Sequence, residues 1–267
     1  MTIFENARVL VILFTILADV LVFLWLSFMT PMAVVAPPDA TPEMSRRLTK
    51  LKTELKRKSF HFVGYLFPTL YYTMVATHLG TKSTCILLVS IATIIIQIAE
   101  YDRLRHPHRS VTAFNKPFLR KSEYHQPSAL AYTMIGNLLS IILYSIPAAI
   151  IGLTNAVVGD LAASIVGVRW GRHRLVNKKS FEGSVACLLV CFLLGLHFLT
   201  YFLLFSFSSA VRVAIVSSLA TTITELFATE GFLGDNVMIP VVTGFASDIA
   251  IKFWIGIKKP NILYYRI

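Results

Sequence analysis

Long apolar runs alternate along the chain with shorter polar, mostly basic stretches. Runs near 20 residues suit a helix that rises 1.5 Å per residue and crosses about 30 Å of hydrocarbon. Eight such runs can be drawn, over 9–30, 60–79, 84–99, 129–146, 147–167, 184–206, 210–229 and 236–257. The third is short. The fourth and fifth form one apolar stretch, divided at Ser145-Ile146-Pro147 because proline lacks a donor and clashes with the preceding turn. The pattern predicts an all-α fold, a polytopic membrane helical bundle of about eight transmembrane helices. No internal repeat is visible. The first run is too long for a signal-peptide core, and only Arg8 lends its flank a positive charge.

Between the first two runs, 31–45 carries Pro31, Pro37, Pro38 and Pro42 and reads as an irregular linker. Residues 46–58 are strongly basic and predict a surface helix. The expected organisation is a first transmembrane helix with a basic cytoplasmic linker over 1–58, then a transmembrane catalytic domain over 59–267.

Composition agrees with a membrane protein. Hydrophobic residues make up 55% and charged residues 15%, with a mean hydropathy of +0.68; ordinary soluble domains have about 25% charged residues. The net charge of +11 is unevenly spread. With eight spans, 18 of the 25 lysines and arginines fall in the loops of one side, which the positive-inside rule assigns to the cytoplasm. Both termini then face the opposite side. Such a basic face attracts anionic headgroups, or it serves a polyanion such as a nucleotide. Nucleic acid is not expected, because the cations sit in short loops without a binding motif. Cys85, Cys187 and Cys191 lie in apolar runs and predict neither a disulfide nor a metal site.

Ionisable residues inside a span are costly and so mark candidate sites. Asp160 is one, in Asn155-Ala-Val-Val-Gly-Asp160-Leu-Ala-Ala-Ser164, where Asn155 shares its broad helical face and small residues allow close approach. The following loop holds Arg169, Arg172, Arg174, Lys178 and Lys179, with Gly171, Ser180, Glu182, Gly183 and Ser184. Glycines let backbone donors approach a phosphate, cations neutralise it, and a serine-capped helix start turns its positive end toward the same anion. An ordinary positive-inside loop is the plainer alternative. Glu225 closes the seventh run, and Asp235-Asn236 opens the eighth. Carboxylates beside a nucleotide suit Mg²⁺, a hard cation that takes oxygen ligands; Asp235 equally suits a helix cap. Arg57, Lys58 and His61 lie at helical spacing ahead of the second span. Glu100, Arg103, Arg120 and Glu123 follow the third. No GxxxxGK[ST] loop, GxGxxG or HExxH is present.

In this order the motifs resemble the CTP-dependent lipid-alcohol kinases: dolichol kinase, phytol kinase and the CTP-dependent diacylglycerol kinase. The resemblance runs from about residue 54 to 245. It rests on Arg57-Lys58-Ser-Phe-His61, Glu100 with Arg103, Arg105 and Pro107, Arg120 with Glu123, Asp160 through Gly171, Lys179-Ser180-Phe-Glu182-Gly183-Ser184, and Glu225 followed by Gly234-Asp235-Asn236 and Ile239-Pro240. Gly64, Glu100 and Ala129 depart from the usual pattern, which bears on the acceptor more than on the reaction class. The compact length and the basic segment ahead of Arg57 look most like the diacylglycerol kinase branch.

The resemblance implies an integral, multi-pass enzyme of the endoplasmic reticulum with its site facing the cytoplasm. CTP would be the phosphoryl donor, and a membrane lipid alcohol, diacylglycerol first and dolichol or phytol next, the acceptor. It implies Asp160, Glu225 and Asp235 as catalytic residues and as ligands of Mg²⁺ or another divalent cation. Arg57, Lys58, His61, Arg172, Lys178, Lys179, Ser180 and Asn236 would bind the nucleotide. Glu100, Arg103, Arg120, Glu123, Asn155, Ser164 and Glu182 would support the site. Two other readings stay open: a phosphatidate cytidylyltransferase, whose loop is similar but whose acidic C-terminal run is missing here, and a transporter of an anionic solute. Oligomeric state is left open.

Overall fold

The structure is a computed structural model. It describes residues 41–107, 122–229 and 234–256 together with Leu17 and Leu119, without the side chains of 54–63, Ser122 and Lys178. The run at 9–30 and the C-terminal tail lie outside the described residues.

Eight α-helices are described: α1 Pro42–Phe62, α2 Leu66–Ala76, α3 Lys82–Arg105, α4 Ala129–Leu143, α5 Ile146–Arg169, α6 Phe181–His197, α7 Phe207–Phe227 and α8 Asp235–Ile255. A 3₁₀ turn at Val63–Tyr65 joins α1 to α2, and a π-helical turn at Phe198–Phe202 extends α6. No named strand occurs among the described residues. Five helices, α3, α5, α6 (with its π turn), α7 and α8, are long and apolar enough to cross a membrane; α4 is a shorter apolar helix. The chain is a polytopic membrane helical bundle.

Several boundaries differ from the apolar runs, each for a local reason. α3 is not short: it continues through the polar turn from Glu100 to Arg105, whose side chains find partners. The helix expected over 46–58 begins within the expected linker, at Pro42, and runs unbroken to Phe62. The boundary drawn between 58 and 59 therefore falls inside one helix. The division of the 129–167 stretch falls at Tyr144-Ser145, with Pro147 in the first turn of α5, where its missing N–H has no intrahelical partner to lose.

α5 is the axis of the bundle and packs against α1, α2, α4, α6, α7 and α8. Small residues let the backbones close in. A Cβ on Gly152 would lie 2.6 Å from the Pro240 carbonyl oxygen of α8, and one on Gly136 of α4 would lie 2.5 Å from that of Asn236. Ser140 of α4 donates to the Pro240 carbonyl at 2.6 Å. In lipid, where no hydrophobic force separates protein from solvent, such close van der Waals seams hold helices together. α3 stands at the edge against α4, and its Leu87, Ile91, Ile94, Ile95 and Ile98 are exposed as a lipid-facing stripe.

One end of the bundle gathers the C-termini of α5 and α7 and the N-termini of α6 and α8. At the other end the α4–α5 turn is closed by charge. Lys82 at the start of α3 donates to the carbonyls of Tyr144 (2.7 Å) and Ile142 (3.2 Å). Asp248 accepts the backbone N–H of Ser145 at 3.0 Å and pairs with Lys252. A cation thus meets the carbonyl end of α4 and an anion the amide end of α5, as both helix dipoles favour.

Candidate functional site

The functional end holds a cavity of about 940 Å³. Asp160, Ser164 and Gly167 of α5 form one wall, and Glu225 of α7 and Asp235 of α8 another. The α5–α6 loop contributes Arg174, Asn177, Lys179 and Ser180, and α6 adds Gly183 and Ser184. α1 contributes Glu43, Arg46, Arg47 and Lys50.

The α5–α6 loop turns back tightly because its glycines leave no room for a side chain. A Cβ on Gly171 would lie 2.2 Å from the Gly167 carbonyl oxygen and 2.8 Å from Ser180 Oγ. A Cβ on Gly183 would lie 2.7 Å from the Ala163 carbonyl oxygen. Ser180 is the N-cap of α6, its hydroxyl accepting the Gly183 N–H at 3.1 Å. Asn177 takes the left-handed conformation, φ 55°, that closes the turn. Glu182 accepts the His173 N–H at 3.2 Å and meets His173 Nδ1 at 2.8 Å, which ties the loop to the first turn of α6. Ser184 Oγ is buried against this cavity and has no hydrogen-bond partner among the described residues.

Lys179 crosses from the loop to the end of α7. Its Nζ lies 2.5 Å from Glu225 Oε1 and 2.6 Å from the Glu225 carbonyl oxygen. The ammonium thus neutralises a carboxylate that is 3% exposed and caps the negative end of a helix. Asp235 takes the first position of α8 after the N-cap Gly234. Its Oδ1 accepts both the backbone N–H and the side-chain amide of Asn236, each at 2.9 Å. Thr133 of α4 in turn donates to Asn236 Oδ1 at 3.1 Å.

Of the residues singled out by sequence, the cavity therefore brings together Asp160, Ser164, Lys179, Ser180, Glu225 and Asp235. Arg172 is exposed and is not in the lining; Glu182 turns to His173; Asn236 orients Asp235 from behind. Asn155 lies deeper, buried in α5, donating to Thr221 Oγ1 at 3.0 Å.

Glu100, Arg103 and Glu123 form a separate clasp. Arg103 binds Glu100 Oε1 and donates to the Gln126 carbonyl at 2.8 Å. Glu100 accepts the Ser128 N–H at 2.6 Å and Glu123 the Ala129 N–H at 3.3 Å. These carboxylates hold the start of α4, where backbone donors lack helical partners. The side chains of Arg57, Lys58, His61 and Lys178, and Arg120 altogether, lie outside the described residues.

Sequence reasoning missed the α1 contribution. The signal was present: 43, 46, 47 and 50 are spaced i, i+3, i+4, i+7, one face of a helix. Lys179 and Glu225, 46 residues apart, carried no signal of their pairing.

Asp160, Glu225 and Asp235 line one cavity, but the described residues contain no group of three or more acidic, histidine or cysteine side chains placed to hold a metal ion by themselves. Such a donor set suits a cation that arrives with a substrate's phosphates, which commonly supply part of the Mg²⁺ shell.

The fold and cavity define an integral membrane bundle with a charged, partly buried pocket at one end. Over 195 residues, 70% of this chain and 90% of the relative, it is 27% identical to an uncharacterized protein of Rickettsia prowazekii. It is 32% identical over 114 residues to the phytol kinase of Synechocystis, covering 40% of this chain and 46% of that one. To a probable chloroplastic phytol kinase of Triticum aestivum it is 33% identical over 104 residues, 36% of this chain and 35% of that one. The matches thus span less than half the length of the two phytol kinases. No family model matches the chain, and no solved structure matches it.

Proposed function

We propose that the chain is a membrane lipid kinase that transfers the γ-phosphate of a nucleoside triphosphate, CTP by its resemblance, to the hydroxyl of a lipid alcohol. The relatives named as phytol kinases favour a phytol-type isoprenoid alcohol as acceptor. Diacylglycerol and dolichol are the other acceptors of the same chemistry.

One observation carries this reading: Asp160, 8% exposed within an apolar span, opens onto the same cavity as Asp235, the Lys179–Glu225 pair and the cations of α1. A buried carboxylate facing a basic wall suits phosphoryl transfer, which needs positioning and charge neutralisation more than covalent chemistry. Mg²⁺ arrives as part of the substrate, MgCTP. Asp235, fixed by Asn236, and Glu225 are the carboxylates next to that cation. Asp160 either takes the proton of the lipid hydroxyl or joins the metal shell. The hydroxyl oxygen bonds to the γ-phosphorus, the bond to the β–γ bridging oxygen breaks, and the nucleoside diphosphate leaves. The lipid alcohol enters sideways from the bilayer, with its hydroxyl at the cytoplasmic face, and the endoplasmic reticulum is the proposed membrane.

The test is label transfer by the purified full chain in mixed micelles. γ-³²P-CTP or γ-³²P-ATP is supplied with Mg²⁺ and phytol, dolichol or diacylglycerol. Label in a lipid with CTP is the expected result and names the acceptor. Folded protein that labels none of the three overturns the kinase reading. Release of pyrophosphate from CTP with phosphatidate would then point to a cytidylyltransferase.

A further inference from the structure

The sequence pointed to the α5–α6 loop as the grip on the polyanion. In the structure that loop's Lys179 is committed to Glu225, and Arg172 is exposed away from the lining. Among the described residues, the cavity's other lining cations are Arg174 of the loop and Arg46, Arg47 and Lys50 of α1.

α1 is amphipathic. Leu48 and Leu51 are buried and seat the helix, which packs on α5. Glu43, Arg46, Arg47 and Lys50 form the adjacent stripe, and all four line the cavity that Asp160 opens into. Arg47 is bound to Glu43 at 2.8 Å. Arg46 and Lys50, one turn apart, have no ion-pair partner among the described residues. Lys52 lies half a turn round the helix from the stripe and is exposed outside the lining. Along the sequence, Arg57 and His61 follow Lys50 by seven and eleven residues, so the register of the stripe runs on into the motif that carries the family resemblance.

We infer that Arg46 and Lys50 of α1 are binding residues for the phosphates of the triphosphate, forming the cationic wall opposite the carboxylates of α5, α7 and α8. This rests on the proposed kinase reading for the identity of the ligand. The arrangement separates the charges by task. Glu225 and Asp235 sit at helix ends and Asp160 further inside α5, where they are placed for the reacting hydroxyl and the divalent cation. The cations sit on an outer, solvated helix, where they draw a polyanion in and hold it by charge-assisted hydrogen bonds. Arg46 supplies a planar fork for phosphate oxygens, and Lys50 a mobile point charge.

The test uses the full chain in nanodiscs of neutral lipid, with equilibrium binding of α-³²P-CTP and Mg²⁺ measured separately from label transfer. Arg46→Ala/Lys50→Ala is expected to weaken binding roughly tenfold or more, and to flatten its salt dependence, since two charge-assisted contacts are lost. Arg46→Lys/Lys50→Arg, which keeps the charge, restores most of the affinity, and Lys52→Ala binds as the wild type does. Equal affinity in the wild type and the double alanine variant overturns the inference, as does a wild type that binds no triphosphate. Transfer distinguishes the two readings. Binding that depends on Arg46 and Lys50 without transfer to any lipid sustains the inference and sinks the kinase. Transfer unaffected by the double substitution does the reverse.

Discussion

Lys179 holds Glu225 twice over, at its carboxylate and at its backbone carbonyl, and so joins the α5–α6 loop to the end of α7. The Glu225 side chain is 4% exposed and that of Lys179 23%. Removing the lysine leaves a buried carboxylate without its partner. Lys179→Met is expected to destabilise the protein by roughly 3–5 kcal/mol, the cost of breaking a buried pair by one partner. Lys179→Met/Glu225→Leu should recover much of that loss. Thermal unfolding in detergent across the double-mutant cycle measures the coupling; simple additivity would mean the two groups do not act as a pair.

Asp160→Asn keeps the shape of the side chain and removes its charge. Turnover should fall by at least about 100-fold, the lower end of what a positioned acid or base contributes. The variant should remain folded, since the substitution keeps the side chain's volume and much of its hydrogen-bonding capacity. Initial rates of lipid phosphorylation, set beside melting curves, check both halves. An active, stable variant would remove Asp160 from the chemistry.

Gly171→Ala sets a methyl group against the Gly167 carbonyl and Ser180, and the backbone on one side has to move. A loss of about 1–3 kcal/mol is expected, as for other overpacked positions, together with loss of transfer as the loop leaves the cavity. Gly195→Ala is the contrast. Its new Cβ would meet Ala214 and Ser217 no closer than 3.7 Å, so the variant should be neutral or up to about 1 kcal/mol more stable, from helix propensity.

Asp248→Ala tests the opposite end of the bundle. It strips the acceptor from the Ser145 N–H in a buried turn, at about 1–3 kcal/mol for the unsatisfied donor. Stability should fall while the affinity for CTP and the turnover per folded molecule stay as in the wild type. A change in CTP affinity would mean that the two ends of the bundle communicate.

Much of the scaffold was legible in the chain because a bilayer imposes a length on every apolar run. The 147–167 run became α5 nearly to the residue, and Pro147 marked the break before it. Asp160 stood out because a carboxylate in such a run is rare. What stayed hidden is long-range. The resemblance implies Glu100 and Glu123 as support for the site; the structure shows them accepting from backbone donors at the start of α4, a long-range contact that nothing local in the sequence announces. The third run was drawn short because its last turn is polar, though Arg103 and Glu100 bury that polarity in each other. The basic stripe of α1 was read as surface charge because the helix that backs it, α5, is more than 100 residues further along the chain.

The α4–α5 turn bears on permeability. Tyr144, Ser145, Ile146, Ala148 and Ala149 are all buried, and Lys82 and Asp248 satisfy the turn's backbone groups from within the protein. The turn's backbone groups are therefore met by side chains of α3 and α8, and the turn packs tightly at this end of the bundle. None of this turn's residues lines the charged cavity, which lies toward the other end of α5. A packed turn of this kind, set at the far end from the charged cavity, would let a highly charged solute reach the protein from one side without giving ions a path down their gradients.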